Sequence, residues 1–98
     1  ITFKQITTEI IAELPDNVYI SFDIDGLDPA LCPNTGTPVP GGFSFNEIVF
    51  ILNEIVDSGK KIIGFDLVEV GGDQEWDGNV GARMVYKLSN LMYKSQKN

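Results

Sequence analysis

Apolar residues recur along the chain with two kinds of spacing, and each kind predicts a type of secondary structure. Alternating or nearly continuous apolar residues predict two strands, Val18–Asp23 and Ile62–Val70. Apolar residues repeated every three or four positions predict three helices, which contain Ile6, Ile10, Ile11 and Leu14, then Ile48, Ile51, Leu52, Ile55 and Val56, and finally Val80, Met84, Val85, Leu88, Leu91 and Met92. The order helix, strand, helix, strand, helix is typical of a parallel sheet with helices packed on its faces.

The predicted helix ends carry residues that commonly start or stop helices. Pro15 stops the first helix. Ser44 and Glu47 have the spacing of a capping box, in which each side chain bonds the backbone amide of the other residue, and Gly59 ends the helix that they begin. Asp77 is predicted to cap the third helix, because aspartate oxygens accept bonds from the free amides at a helix start.

Both predicted strands lead into acidic loops. Asp23 ends the first strand and Asp25 lies two residues further on, so the two-residue repeat of strand side chains, continued to Asp25, would point both carboxylates in one direction. Glu69 lies at the end of the second strand, and the carboxyl ends of parallel strands meet at one edge of a sheet. Two neighbouring anions repel each other unless a cation binds, and carboxylate oxygens suit magnesium, calcium or manganese. The sequence therefore predicts a divalent-metal site.

Other interpretations of these acidic residues stay open at this point. The aspartates could be solvated loop carboxylates, and Glu69 could be solvated or could receive a cationic group of a substrate. Asp28 precedes Pro29 and is interpreted as a turn residue whose side chain bonds its own backbone. Asp66 lies within an apolar strand, so it must be hydrogen-bonded if it is buried, and it is interpreted as support for the metal ligands.

Composition limits the classes of partner. The formal net charge is -7, from 7 basic and 14 acidic residues, which argues against nucleic acid or an anionic membrane and favours metal cations or cationic substrates. No apolar run approaches the roughly 20 residues of a membrane helix. The single cysteine, Cys32, cannot form an internal disulfide, so a cytoplasmic location is expected. Histidine is absent, which removes imidazole as a ligand or base within these 98 residues.

The segment SFDIDGLDP, followed by TGTPVPGG before Phe43, closely resembles the ureohydrolase family, which includes arginase, agmatinase and formimidoylglutamase. Glu69, in DLVEV, falls where that family has an acidic residue after its next strand. The resemblance implies a three-layer α/β/α domain with a parallel sheet, and residues 1–98 would be the C-terminal part of that single domain. A chain that opens at Ile1 and has two predicted strands fits this expectation. The segment WDGNVGAR, residues 76–83, is nearer to formimidoylglutamase than to arginase.

The resemblance also implies an activity and roles for individual residues. Two manganese ions would lie at the strand ends, with Asp23 bridging both and Asp25 binding one and serving in catalysis. A metal-bridging hydroxide would attack the carbon of a guanidino or formimino group and release urea or formamide. Glu69 would orient this small cationic substrate, and Thr37 would line the pocket beside it.

The family's remaining metal ligands lie in upstream GGDH and DAHxD motifs, which these residues lack. The chain alone is therefore expected to be inactive and to bind metal weakly or not at all. The full-length protein is expected to form a homo-oligomer, a trimer or hexamer, without nucleic-acid or membrane partners.

The main alternative is a haloacid-dehalogenase-type, magnesium-dependent phosphatase, whose first motif, DxDGT, resembles FDIDGLD. In that interpretation Asp23 is the nucleophile, Asp25 is the general acid, and Asp73 and Asp77 bind magnesium. Leu27 replaces the threonine of the motif, the two acidic motifs lie too close together, and TGTPVPGG has no role. A calcium-binding loop fits less well because no glutamate closes it, and a purely structural domain would leave the acidic pair unexplained.

Overall fold

The structure is a computed structural model that describes residues 1–33, 35, 40–71 and 75–98. Its elements are helix α1 (Phe3–Ala12), strand β1 (Asn17–Asp23), a 3₁₀ turn (Ile24–Gly26), helix α2 (Phe45–Asp57), strand β2 (Lys61–Val68) and helix α3 (Glu75–Ser95). The predicted order of helices and strands is confirmed. In the described part of the chain, no helix is both long enough and apolar enough to cross a membrane.

The two strands pair in parallel, as the alternation of helices and strands predicted. The ladder runs from the pair Asn17 and Lys61 to the pair Asp23 and Val68. A register shift after Val18 leaves Ile63 outside the pairing, and this side chain is exposed. Because the last pair is Asp23 and Val68, the loops that follow the two strands leave the sheet at the same edge.

One face of the sheet carries the hydrophobic core in the described residues. The buried apolar side chains from the strands and helices are Ile11, Val18, Phe22, Leu52, Ile55, Val56, Ile62, Val80, Met84, Leu88 and Leu91. Ile24 and Leu27 are also completely buried, so the loop after β1 is anchored in this core. The opposite face exposes Tyr19 and Val68, although the apolar sequence of the second strand is typical of one covered on both faces.

The helix ends agree only partly with the predictions. The capping box of α2 is present, with the Ser44 hydroxyl accepting a bond from the Glu47 amide at 3.1 Å and the Glu47 carboxylate accepting one from the Ser44 amide at 2.8 Å. Gly59 follows the helix with a φ of 98°, a value that glycine adopts without strain. The prediction for Asp77 is wrong, because α3 begins at Glu75 and Asp77 is a buried residue of its first turn.

Candidate functional site

Asp23 and Asp25 lie together at the end of β1, but for a different reason from the one predicted. The strand ends at Asp23, and Ile24–Gly26 forms a 3₁₀ turn, so strand alternation does not extend to Asp25. The Asp25 amide donates a hydrogen bond to Oδ1 of Asp23 at 3.1 Å. The buried side chain of Ile24 holds the turn against the core. Local turn geometry therefore brings the two acidic residues together.

The environment of Asp23 is electrostatically unfavourable for its negative charge. Desolvation is the largest cause that raises the pKa of its carboxyl group above the ordinary value. The hydrogen bond from the Asp25 amide opposes this shift, whereas the Asp25 side chain and the negative charges of Asp25 and Glu69 add to the rise in pKa. A bound cation would relieve this repulsion among Asp23, Asp25 and Glu69.

Glu69 follows β2 directly and has an unusual backbone. Its φ is 66°, in the left-handed region that side chains other than glycine's rarely adopt. Its side chain is exposed, and its carbonyl oxygen accepts a hydrogen bond from Oγ1 of Thr35 at 2.7 Å. Thr35 belongs to the loop between β1 and α2, so this bond joins the two loops that leave the sheet at this edge. The sequence gave no indication of this hydrogen bond, because Thr35 appears there only as a polar residue in a loop.

The beginning and the end of the loop between β1 and α2 are joined by backbone hydrogen bonds. The Asp28 amide donates to the Phe43 carbonyl at 2.8 Å, and the Phe43 amide donates to the Gly26 carbonyl at 2.9 Å. Gly42 lies so close to the first part of the loop that a Cβ atom on Gly42 would be 2.4 Å from the Leu27 carbonyl oxygen. Gly42 is therefore required at this point of the loop, because no side chain fits.

Cys32 and its neighbours form the buried base of the same loop. The Cys32 thiol is completely buried and donates a hydrogen bond to the Ile24 carbonyl at 3.2 Å. Desolvation raises the pKa of this thiol, and the negative charges of Asp77, Asp25, Asp28 and Asp23 raise it further. The base of the loop is therefore both shielded from water and negatively charged in its surroundings.

Asp28 has the local contact that was predicted, whereas the bonds of Asp66 go to Ser21 and Tyr19, and its predicted support for the metal ligands stays a prediction. Oδ1 of Asp28 accepts a hydrogen bond from the Ala30 amide at 3.0 Å, as expected of a turn residue. Asp66 accepts hydrogen bonds from the Ser21 hydroxyl at 2.9 Å and the Tyr19 hydroxyl at 3.0 Å. The bond to Asp66 is the main cause that raises the pKa of Tyr19, because it stabilises the protonated phenol.

Some predicted site residues cannot be placed. Thr37 and Asp73 lie outside the described residues. Within residues 1–33, 35, 40–71 and 75–98, no group of three or more carboxylate or thiol side chains could hold a metal ion. Asp23 and Asp25 nevertheless supply the hard oxygen donors that manganese or magnesium accepts, and their mutual repulsion fits a site for a cation. These two residues fit part of a metal centre.

A parallel α/β sheet with acidic loops at its carboxyl edge is the architecture of a broad class of α/β enzymes, which place their ligand sites at that edge. Comparison with known proteins narrows this class. The model of the arginase family matches residues 1–92, and the chain therefore belongs to this family. The resemblance noted from SFDIDGLDP and TGTPVPGG is thereby confirmed, and the phosphatase alternative is not favoured.

Individual relatives agree with this assignment. The N(1)-aminopropylagmatine ureohydrolase of Thermus thermophilus is 42% identical over 84 residues, which cover 85% of this chain and 28% of that protein. The agmatinase of Pyrococcus horikoshii is 46% identical over 66 residues, or 67% of this chain and 23% of that protein. The structure of proclavaminate amidino hydrolase from Streptomyces clavuligerus superposes with a TM-score of 0.81 and 28% identity, over 96% of this chain and 33% of that one. The chain thus spans a third or less of these relatives, and its predicted α/β, arginase-like fold is confirmed.

Proposed function

We propose that the full-length protein containing this chain hydrolyses a C–N bond of a guanidino group and releases urea. The observation that carries this proposal is the meeting of Asp23, Asp25 and Glu69 at one sheet edge in a member of the arginase family. The negative charges of Asp25 and Glu69 help to raise the pKa of Asp23, and such a concentration of negative charge favours cationic ligands, both a metal ion and a positively charged substrate. The net charge of -7 supports the same choice.

Asp23 and Asp25 are the proposed metal ligands. The 3₁₀ turn sets their carboxylates side by side, and the buried Ile24 between them fixes that turn. Manganese is the proposed metal, and when bound it would lower the pKa of water and stabilise charge on the reacting group. Asp25 contributes to catalysis through this binding. The further ligands are expected in the GGDH and DAHxD motifs of the full-length protein, because these residues contain no histidine.

Glu69 is the proposed substrate-binding residue. Its side chain is exposed and its negative charge acts on Asp23, and a carboxylate can accept two parallel hydrogen bonds from a planar guanidinium group. The names of the relatives, which specify aminopropylagmatine, agmatine and an amidino compound, favour a guanidino substrate. A formimino substrate is the second candidate, from the resemblance of WDGNVGAR to formimidoylglutamase. Thr37 is proposed to line the same pocket, and the full-length protein is proposed to be a trimer or hexamer in the cytoplasm.

The test uses the full-length protein loaded with manganese and three classes of compound: guanidino compounds, a formimino compound and a phosphate ester. We expect release of urea from agmatine or arginine. Release of formamide from N-formimino-glutamate tests the second candidate substrate. A phosphate ester should stay intact. Phosphate release that is abolished by Asp23→Asn would replace this proposal with the phosphatase alternative.

Two substitutions separate the proposed roles. Asp25→Ala should lower the manganese content measured by elemental analysis. Glu69→Ala should keep the metal but lower kcat/KM by roughly 10- to 150-fold, because a hydrogen bond to a charged group contributes about 1.5–3 kcal/mol. Glu9→Ala, on the exposed surface of α1, is the matched control and should change neither quantity. Equal loss of manganese in the Asp25 and Glu69 variants would show that the division of roles is wrong.

A further inference from the structure

The left-handed backbone of Glu69 determines where its carboxylate lies. Glu69 is the one residue other than glycine with a positive φ in the described part of the chain. A left-handed conformation costs an ordinary residue about 1–2 kcal/mol, so neighbouring contacts must hold it in place. In an extended continuation of β2, alternation would direct the Glu69 side chain to the face of Leu67, which packs against the helices. The backbone conformation therefore turns the carboxylate away from the core.

Thr35 is placed to hold this conformation. Its hydroxyl donates to the Glu69 carbonyl at 2.7 Å, and the Thr35 side of this contact is well shielded because the residue is only 5% exposed. Hydrogen bonds shielded from water are stronger and fix orientation better than exposed ones. Thr35 is itself tied to the core, since its amide donates to the carbonyl of the completely buried Cys32 at 3.2 Å. A continuous series of contacts thus runs from the core through Cys32 and Thr35 to Glu69.

We propose that Thr35 is a positioning residue, whose hydroxyl holds the Glu69 peptide in the orientation that directs the carboxylate at the guanidinium group of the substrate. This role rests on the proposed function of Glu69 in substrate binding. Thr35 itself touches the Glu69 backbone, and acts on the substrate only through Glu69. Removal of the hydroxyl should therefore weaken substrate binding and leave the metal ligands Asp23 and Asp25 unaffected.

The test compares Thr35→Val, which keeps the shape of the side chain, with Thr35→Ser, which keeps the hydroxyl. In the full-length manganese protein, Thr35→Val should raise KM about 5- to 20-fold with little change in kcat, as expected when an interaction common to ground and transition states is lost. Manganese content should match the wild type. Thr35→Ser should restore KM to within about threefold of the wild type, because the hydrogen bond can re-form. Loss of manganese in Thr35→Val, or no rescue by Thr35→Ser, would overturn the proposal.

A double-substitution cycle tests whether Thr35 acts through Glu69. If it does, Thr35→Val should have no further effect on kcat/KM in the Glu69→Ala background, because the group that it positions is already gone. Additive effects would overturn the proposal. Any Thr35→Val preparation that fails to fold is replaced by Thr35→Ala, judged by the same three measurements.

Crystal structures of the wild type and Thr35→Val separate this proposal from the proposed function. A Glu69 φ that leaves the left-handed region in the variant would support the positioning role, even if the wild-type protein hydrolysed no guanidino compound. An unchanged φ and carboxylate position would overturn it, even if the wild-type protein were fully active.

Discussion

Replacement of Gly42 by alanine should destabilise the loop that carries the aspartate pair. The added Cβ would lie 2.4 Å from the Leu27 carbonyl oxygen and 2.8 Å from the Asp28 amide nitrogen. Both are backbone atoms, so the clash can be relieved only if the two segments of the loop move apart. That movement would break the hydrogen bonds between Asp28 and Phe43 and between Phe43 and Gly26, at 2.8 and 2.9 Å.

The expected cost follows from these contacts. Two hydrogen bonds contribute about 1 kcal/mol each, and forced overpacking typically adds about 1–3 kcal/mol, so Gly42→Ala should lower the free energy of unfolding by about 3–5 kcal/mol. Urea denaturation of the full-length protein measures this difference. Manganese content should fall as well, because the same loop holds Asp23 and Asp25.

Gly26→Ala is the matched control for this prediction. Gly26 lies in the same loop, but a Cβ there would have no atom within 4 Å, so the free energy of unfolding should change little. Stability of Gly42→Ala within about 0.5 kcal/mol of the wild type would refute the steric reasoning. Equal destabilisation of both variants would show that the loop tolerates no side chain for some other reason.

Two further predictions concern hydrogen bonds outside this loop. Ser95→Ala should lower the free energy of unfolding, measured by urea denaturation, by about 1–3 kcal/mol, because the buried Ser95 hydroxyl accepts a hydrogen bond from the Ile62 amide at 2.9 Å. Ser89→Ala, on the exposed side of α3, is the control and should change this free energy little. Asp66→Asn should lower the pKa of Tyr19, measured by ultraviolet titration of tyrosinate. Because the folded-state pKa of Tyr19 is raised, its contribution to stability is present below the unfolded-state pKa and is lost as pH rises through the folded-state pKa. Asp66→Asn should reduce that alkaline loss, and desolvation should retain part of it.

The order of elements and the edge at which the acidic loops meet could be predicted, because both follow from patterns within short segments. Ser44 illustrates this, since its capping partner lies three residues away. The alternation of strand side chains was extended from Asp23 to Asp25, because periodicity does not show where a strand gives way to a turn. Asp77 was predicted to be a helix cap, but α3 begins two residues earlier, at Glu75, and Asp77 is buried. That burial depends on how α3 packs, which the local sequence does not show. The hydrogen bond between Thr35 and Glu69 joins residues 34 positions apart, so it could be found only in the folded structure.

The completely buried thiol of Cys32 can be used to measure opening of the loop between β1 and α2. Alkylating reagents attack an accessible thiolate, and Cys32 is both enclosed and raised in pKa, so the closed loop should be inert to them. The labelling rate at this position therefore measures how often the loop between β1 and α2 opens. Any ligand that binds only the closed loop must slow this labelling in proportion to its occupancy, which gives access to ligand affinity without catalytic turnover.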